Sequence, residues 1–397
     1  MLKNILYFLI IFLFFNCSNQ SIIEKSYVGY LKANDSIDIP FNFLLKDFEI
    51  NISNSKENVS LEIVLRPGDS SKIISYIFED YIMFKNDNDT LKGFYYNESL
   101  SRKIPFFASP SSNRFISKNK EDFDNFNGNW HVIFDHDNKS SFDSQMMIDQ
   151  FKNEISGTVR TETGDYGFMQ GIIRGNRFSM SNFNGYRGYM MDGYLKNDTI
   201  KGYLYMGNYD SKPFIAYKDK YFNLSDPYGL TKIRDGYDDF VFSFENTKGE
   251  LVSNTDKKFD NKIVLVQLMG SWCPNCLDES RYLLALSEKF DNIKFVSIAF
   301  EYAKNKKLAL NNLNKLKKLL NIDYDILLAQ YGTSDKFEAA GKLISIDTII
   351  SYPTLIVVDK NKKVRRIHTG FNGPATGKEY DDFKAEFEGF IELLNNE

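Results

Sequence analysis

Cysteine and histidine are both scarce in this sequence, with three residues of each among 397. So few cysteines exclude a scaffold held together by disulfides. His131 and His136 lie beside Asp135 and Asp137 and could in principle bind a metal, but no cysteine is near them. We therefore interpret this segment as a strand end followed by a polar turn.

An excess of charge of one sign is also lacking. The 49 lysine and arginine residues nearly balance the 53 aspartate and glutamate residues, which gives a net charge of −4. A protein that neutralises a phosphate backbone needs concentrated positive charge. The composition therefore predicts no nucleic-acid partner.

Long apolar runs are missing as well, and the run nearest the start is short. It extends from Ile5 to Phe15, which is too few residues to cross a bilayer of about 30 Å as a helix. Lys3 precedes the run, and Asn16 and Cys17 follow it, which is the order of a secretory signal. A cysteine in this place resembles the lipidated first residue of a bacterial lipoprotein.

We accordingly predict a signal peptide over 1–16, a lipid anchor on Cys17 and a tether over 17–21. The mature chain would then be membrane-anchored outside the cytoplasm, in the cell envelope. Phe14 and Asn16 depart from the residues usual in such signals. The alternative is an ordinary secreted protein in which the cysteine is incidental.

Aromatic residues are abundant, with 35 phenylalanines and 24 tyrosines, and such residues suit pleated sheets better than helical bundles. Over residues 22–225, short runs of alternating apolar and polar residues, such as Ile50–Ile52 and Ile200–Tyr205, are separated by Gly, Asn and Asp. This pattern predicts an all-β region, either a sandwich or a barrel. Ser144–Phe151 is the stretch in which a helix competes with that interpretation.

The β region contains a weak internal repeat. Asp89–Tyr96 recurs as Asp198–Tyr205, and a Pro-Phe pair follows each copy. The repeat favours two related units, over 22–120 and 121–225, although a shared strand-turn-strand solution would also produce it. Gly128–Trp130 resembles the opening of lipocalin-like barrels, which a buried Trp explains equally well. The region carries no recognisable catalytic chemistry, and we predict that it serves binding, spacing or docking.

The pattern changes after the polar stretch Asp235–Asp239. Ile263–Met269 is an almost continuous apolar run, typical of a strand buried on both faces. Further elements are predicted as a helix over Pro274–Phe290, a strand over Lys294–Ala299, a helix containing Ala309 to Leu320, a strand over Tyr324–Leu328, a helix over Asp335–Leu343, strands over Thr354–Val358 and Lys362–His368, and a helix over Tyr380–Leu394. This alternation predicts an α/β domain over 236–397.

Two of the three cysteines, Cys273 and Cys276, lie where the buried strand gives way to the predicted helix. Unpaired N–H groups at a helix N-terminus stabilise a thiolate on the first cysteine, and the second follows one turn later. A zinc site would need a second ligand pair, and a structural bridge across so small a loop would constrain the unfolded chain little. The pair therefore favours thiol-disulfide chemistry.

Asp238–Glu397 resembles the thioredoxin superfamily, and within it the TlpA/ResA-like group of extracytoplasmic thiol-disulfide oxidoreductases, which are often lipoproteins. Gly270–Trp272 precedes the cysteines much as in that group, and Ser351–Thr354 is similar to its cis-proline turn. Val358–Asn361 fits the strand and turn that follow, and Ala303–Leu328 is similar to an additional helix and strand of the group. The resemblance implies a thioredoxin-like fold.

The resemblance also implies an attacking thiolate on Cys273, a resolving thiol on Cys276 and a proton acceptor at Glu279. It implies substrate contacts for three further residues: Trp272, Tyr352 and Pro353. Gln267 stands where thioredoxin has a buried Asp, and it cannot take a proton. Asp278, beside Glu279, is more simply interpreted as a solvated helix residue.

No metal or organic cofactor is implied, because in this family the electrons pass through thiols. The implied partners are protein thiols and disulfides, together with a membrane redox partner that donates electrons. We expect a reductase of partner-protein disulfides. One rival is a peroxiredoxin-like peroxidase, although the Pro-rich loop that precedes the cysteine of such enzymes is absent. The other is a non-enzymatic, surface-binding lipoprotein.

Overall fold

The computed structural model describes residues 24–65, 70–115 and 122–397. The predicted signal peptide, the tether and Cys17 lie outside these residues. Within them, no helix has the length and apolar character needed to cross a membrane. The described chain forms two closed β-sheets followed by an α/β domain with a thioredoxin-like fold, which confirms the fold class expected from the sequence.

The first barrel is an antiparallel meander of eight strands: β1 (Glu24–Lys32), β2 (Asp38–Lys46), β3 (Glu49–Asn54), β4 (Glu57–Leu65), β5 (Ser70–Ile74), β6 (Tyr81–Asp87), β7 (Thr90–Asn97) and β8 (Arg102–Pro110). Each strand pairs with the next, and β1 pairs with β8 to close the ring. Side chains at alternate positions, such as Phe41 and Phe43, point into the barrel and fill it.

The second barrel contains β9 (Gly128–Phe134), β10 (Phe142–Phe151), β11 (Glu154–Thr161), β12 (Gly164–Asp165), β13 (Met169–Arg174), β14 (Arg177–Phe183), β15 (Gly188–Lys196), β16 (Thr199–Met206) and β17 (Asp210–Lys218). The pairing of β10 with β11 closes the ring. The two-residue β12 pairs with the end of β11 and lies outside the ring.

The helix considered over Ser144–Phe151 is wrong, because these residues belong to β10. β10 pairs with β9 on one side and with β11 on the other, so its backbone groups are bonded along both edges. Met146 and Ile148, two positions apart, both enter the barrel core. Closure of the sheet decides the conformation of this segment.

The two copies of the repeat occupy equivalent places, since β7 and β16 are each the last strand but one of their barrels. A two-residue turn precedes each strand, Asn88-Asp89 and Asn197-Asp198, and all four residues have φ between 48° and 67°. Positive φ at both central residues is the geometry of a tight hairpin turn that matches strand twist. A common hairpin therefore underlies the repeat, and duplication of a whole unit stays a prediction.

The α/β domain contains a short hairpin, β18 (Ser243–Glu245) and β19 (Leu251–Ser253), and a five-stranded sheet: β20 (Ile263–Met269), β21 (Ile293–Phe300), β22 (Asp325–Gln330), β23 (Thr354–Val358) and β24 (Val364–Thr369). The sheet order is β22-β21-β20-β23-β24, with β20 parallel to β21 and antiparallel to β23. Its helices are α1 (Pro274–Ser287), α2 (Lys306–Leu319), α3 (Lys336–Lys342) and α4 (Lys378–Asn396).

The barrels pack against the part of the α/β domain that carries the cysteines. Phe78 of the first barrel and Tyr186 of the second lie in the same buried cluster as Cys273 and Cys276. The rings of Phe78 and Tyr186 are 5.1 Å apart. The surroundings of the cysteine pair are thus built by all three parts of the chain.

Candidate active site at the cysteine pair

The loop that carries the first cysteine connects a fully buried strand to a helix. All seven residues of β20 are buried, and α1 begins at Pro274. Between them, a Cβ on Gly270 would lie 2.2 Å from the indole nitrogen of Trp272, so only glycine fits there. The indole N–H donates to the carbonyl of Phe300 at 3.0 Å. The Trp272 side chain is therefore held over the end of the central strands.

A buried carboxyl that the sequence analysis missed supports this loop. Glu301, directly after β21, accepts from the N–H of Ser271 at 2.6 Å and from its hydroxyl at 2.7 Å. Burial raises the pKa of Glu301 to about 7. No local motif marks this residue, because its partner lies 30 positions earlier in the chain.

Cys273 is the residue that caps the N-terminus of α1. Its Sγ accepts from the backbone N–H of Cys276 at 3.3 Å, and its thiol contacts the carbonyl oxygen of Tyr352 at 3.5 Å. Both cysteines are thiols in the structure, and the Cys273 residue is 6% exposed. The N–H contact and the helix dipole both stabilise negative charge on this sulfur.

Cys276 lies behind Cys273 with no exposed surface. Burial, and then the neighbouring Cys273, raise the pKa of the Cys276 thiol well above its usual value. The two sulfurs are thus chemically unequal. The outer one is placed to react first, and the inner one needs a proton acceptor before it can act.

Glu279 is one turn beyond Cys276 on α1 and is also completely buried. Neither carboxyl oxygen has a hydrogen-bond partner among the described residues. Burial raises its pKa to about 8. A buried carboxyl that has the Gln267 side chain nearby but no ionic partner in the described part of the chain can exchange a proton near neutral pH.

Gln267 of β20 fixes the start of α1 rather than titrating. Its amide nitrogen donates to the carbonyl of Cys276 at 3.1 Å, and its oxygen accepts from the hydroxyls of Ser280 and Ser297 at 3.1 and 3.0 Å. All four residues are buried. These contacts tie α1 to the two central strands.

The proline turn lies opposite the cysteines, as the resemblance implies. The Tyr352–Pro353 peptide bond is cis. The ring of Tyr352 stacks on Phe300 at 5.4 Å and meets Trp272 edge-on at 6.0 Å. The structure thus brings together all the site residues proposed from the sequence except Cys17, which lies outside the described residues.

A turn of the second barrel, residues 161–165 from the end of β11 through β12, covers this site from one side. In the orientation that satisfies both groups, the Asn275 amide donates to the carbonyl of Asp165 and accepts from its N–H, each at 3.2 Å. The Ser351 hydroxyl donates to the carbonyl of Thr163 at 3.1 Å. A Cβ on Gly164 would lie 1.9 Å from the end of the Asn275 side-chain amide. The turn therefore contacts both the cysteine loop and the proline loop.

Carboxyl groups gather next to this turn. Asp165 accepts from the N–H groups of Gly167 and Gly373, and burial raises its pKa to about 7. Asp278 forms an ion pair with Arg281 at 2.8 Å, and its side chain is 25% exposed. The interpretation of Asp278 as a solvated helix residue is wrong, because the second barrel lies over this end of α1.

The three parts of the chain enclose a cavity of about 610 Å³ next to Cys273. Tyr76 and Phe78 line it from the first barrel, Tyr166 and Arg187 from the second, and Trp272 and Tyr352 from the α/β domain. The sequence did not predict that the barrels line this cavity, because no single segment of the chain indicates which domain it will contact.

The two histidines of the second barrel have other partners. His131 contacts Asp143 at 2.6 Å and stacks on Phe222, and His136 contacts Asp137 at 3.3 Å. Among residues 24–65, 70–115 and 122–397, no three His, Cys, Asp or Glu side chains are grouped to hold a metal.

Comparison with known proteins matches residues 238–383 to the Redoxin family model. The chain is similar to a thiol-disulfide oxidoreductase from Bacteroides fragilis, with 20% identity over 36% of this chain and 96% of that one, at a TM-score of 0.26. It is also similar to a thioredoxin-family thiol:disulfide interchange protein from Chlorobium tepidum, with 20% identity over 41% and 99% of the two chains, at a TM-score of 0.29. No match is found among curated proteins. The family match covers most of the α/β domain and leaves both barrels outside.

Proposed function

We propose that the chain is a thiol-disulfide oxidoreductase that reduces disulfides outside the cytoplasm. The geometry of Cys273 carries this proposal: its sulfur caps α1, accepts from the N–H of Cys276 and lies against the loop of Pro353. The match of residues 238–383 to the Redoxin family supports it.

In the first step, the Cys273 thiolate attacks one sulfur of a substrate disulfide. A bond forms between Cys273 and that sulfur, the substrate S–S bond breaks, and the other substrate sulfur leaves as a thiolate. The N–H of Cys276, which contacts the Cys273 sulfur at 3.3 Å, stabilises the attacking charge.

In the second step, Cys276 resolves the mixed disulfide. Its thiol gives up a proton, for which Glu279 is the nearby buried acceptor, and the resulting thiolate attacks the sulfur of Cys273. The second substrate thiol leaves, and the enzyme is left with a Cys273–Cys276 disulfide. Two electrons have passed to the substrate, and a membrane redox partner would have to replace them.

The cellular location and the partners are also part of the proposal. We propose that Cys17 is lipidated, that the mature chain lies in the cell envelope and that the substrates include disulfides of partner proteins. The order of Lys3, the apolar run and Cys17 supports the extracytoplasmic location.

The roles of the two cysteines can be tested with hydroxyethyl disulfide, which is small and uncharged, and mass spectrometry. Cys276→Ser should accumulate a mixed disulfide on Cys273, because no resolving thiol remains, while Cys273→Ser should accumulate none. Equal adducts on the two variants would overturn the assignment of roles. Wild-type protein that consumes peroxide but no disulfide would support the peroxidase rival instead.

The direction of electron flow is tested by the reduction potential. We expect a value more negative than about −200 mV, in the range of reductants such as glutaredoxins and thioredoxin. Equilibration of the wild-type protein with glutathione redox buffers, followed by counting of thiols, measures it. A value near about −120 mV would make the same residues a disulfide donor.

A further inference from the structure

A positively charged side chain in the cavity wall has no ionic partner. Arg187 lies in the loop between β14 and β15, and it lines the same cavity as Cys273. Its terminal nitrogens donate to the hydroxyls of Tyr186 at 3.2 Å and Tyr189 at 3.3 Å, and its Nε is buried without a partner. No carboxylate oxygen of the described residues lies within 4.0 Å of the guanidinium.

The groups around Arg187 are aromatic and neutral. The guanidinium lies 4.8 Å from the centre of the Tyr186 ring. Burial raises the pKa of Tyr186 above its usual value, so its hydroxyl stays protonated at neutral pH. Tyr166 stacks on Tyr189 at 4.9 Å and extends the same wall. Hydroxyls and rings stabilise a cation, but they do not neutralise its charge.

Three carboxyl groups of the described residues line the cavity, and none of them forms an ion pair with Arg187; burial raises the pKa of one of them, Glu57, which favours its neutral form. Asp278 is paired with Arg281, and Asp165 accepts two backbone N–H groups. Leaving a cation uncompensated in a partly enclosed site costs free energy. A ligand that brings a negative charge to Arg187 would offset that cost.

The enclosure of Cys273 limits what can reach it. The turn over 161–165 lies against both the cysteine loop and the proline loop, where an extended chain segment would otherwise have access. The remaining opening is the cavity of about 610 Å³, which is within the range of roughly 300–1,000 Å³ typical of small-molecule sites.

We propose that the cavity binds a low-molecular-weight disulfide that carries a carboxylate, with Arg187 as the carboxylate-binding residue and Cys273 as the attacking thiolate. This inference rests on the proposed function and narrows its substrate class. One substrate disulfide is reduced to two thiols while the Cys273–Cys276 dithiol is oxidised to a disulfide.

Two disulfide probes of similar size distinguish the effect of a carboxylate from the reactivity of the disulfide itself. Dithiodipropionate carries carboxylates, and hydroxyethyl disulfide is uncharged. The measurement is the ratio of kcat/KM for the first probe to that for the second. We expect the wild-type ratio to exceed one and Arg187→Met to lower it about tenfold or more, because a charge-assisted hydrogen bond is lost. Arg187→Lys should give an intermediate ratio, since it keeps the charge without the planar fork.

A matched control removes a different arginine from the same barrel. Arg177 is exposed and pairs with Asp192 at 2.6 Å, away from the residues that line the cavity. Arg177→Met should leave the ratio of the two probes at its wild-type value. Thermal melting of both variants checks that they are folded.

Binding can be measured without turnover in the Cys273→Ser background. Calorimetry should detect dithiodipropionate binding there, and adding Arg187→Met should remove it. Wild-type protein that prefers the uncharged probe, or an Arg187→Met ratio equal to the wild-type ratio, would overturn this inference alone. Faster reduction of insulin than of either probe would show that the turn opens for protein segments and would also overturn it. Failure to reduce any of these disulfides would overturn the proposed function itself.

Discussion

Cys273 and Cys276 are three residues apart, yet they have opposite surroundings. Cys273 borders the cavity and receives an N–H contact, whereas Cys276 is fully buried and its thiol has a strongly raised pKa. The difference follows from their positions, since Cys273 is the N-cap of α1 and Cys276, in the first turn, contacts Gln267 of the central strand β20 through its carbonyl. This asymmetry separates attack from resolution.

Glu279 should determine how the step in which Cys276 resolves the mixed disulfide depends on pH. Its pKa is about 8, so the fraction of molecules with Glu279 ionised, the form that accepts a proton, increases as the pH rises through that value. We expect the rate of the release step in wild-type protein to increase between pH 7 and 9, and we expect Glu279→Gln to lower it about tenfold or more at pH 8. Single-turnover mixing with hydroxyethyl disulfide, monitored at both steps, measures the two rates separately.

The control for this experiment is Asp278→Asn, which changes the adjacent carboxyl on the same helix. In that variant, the rate of the release step should still change with pH around pH 8, although the substrate affinity can change. If Glu279→Gln releases product with the wild-type pH profile, the carboxyl has no part in proton transfer.

At the scale of elements, the turn over 161–165 is the piece that joins the second barrel to the active site. Ser351 and Thr163 are 188 residues apart in the chain, and Asn275 and Asp165 are also distant in sequence. The Asn275 side chain is therefore engaged with the turn rather than with the Cys273 thiolate. Docking of the turn determines how open the site is.

Gly164→Ala should loosen this docking. The new Cβ would lie 1.9 Å from the end of the Asn275 side-chain amide and 2.9 Å from the carbonyl oxygen of Phe371, and Gly164 has a φ of +134° that other residues avoid. We expect a loss of about 1–3 kcal/mol in stability and a severalfold faster alkylation of Cys273. Iodoacetamide labelling followed by mass spectrometry provides the measurement.

Gly175 offers a matched substitution in the same barrel. It has a φ of +57°, and a Cβ there would meet no heavy atom within 4 Å. Gly175→Ala should therefore leave Cys273 alkylation unchanged. If Cys273 is alkylated no faster in Gly164→Ala than in the wild-type protein, the turn does not control access to the cysteine.

At the scale of the whole molecule, buried carboxyls should govern stability against pH. Burial raises the pKa values of Asp80, Asp165 and Glu301 to about 7 and that of Glu279 to about 8. Between pH 4 and these values the folded state binds more protons than the unfolded state, so each group makes stability fall as the pH rises.

We therefore expect the melting temperature to fall between pH 6.5 and about 8, with Glu279 contributing over the whole interval and the other three groups mainly over its first part. Each group contributes up to about 1.4 kcal/mol per pH unit over its window. His368, whose pKa burial lowers to about 4, acts in the opposite direction, but only below about pH 6.5. Differential scanning calorimetry should show a shallower fall in Glu279→Gln and no change in slope for Glu392→Gln on the exposed side of α4. A melting temperature that rises over this range would contradict the expectation.

The predicted lipid anchor is a property of the whole molecule as well. Acylation of Cys17 would supply membrane affinity at about 0.8 kcal/mol per buried CH₂. Cys17→Ser should therefore move the protein from the membrane fraction to the soluble fraction on centrifugation of cell lysates. Wild-type protein that is already soluble would rule out the anchor.

The sequence by itself determined the features that are local in the chain. The apolar run Ile263–Met269, the cysteine pair and the Tyr352–Pro353 turn each signal their structure within a few residues, and the α/β elements were predicted in the right order. Alternation over residues 22–225 likewise indicated a sandwich or a barrel. Segment Ser144–Phe151 was ambiguous because its conformation depends on two neighbouring strands.

Only the tertiary structure decided what surrounds the reactive sulfur. Arg187, Asp165 and Glu301 carry no sequence signal for a place in this site, because the chain segments that bring them near Cys273 are distant from it in the sequence. A hydrophobic pattern records which face of an element is buried, but not which other element covers it. The cavity beside Cys273 exists because two barrels and an α/β domain meet there, and its charge and size depend on side chains that approach each other only after folding.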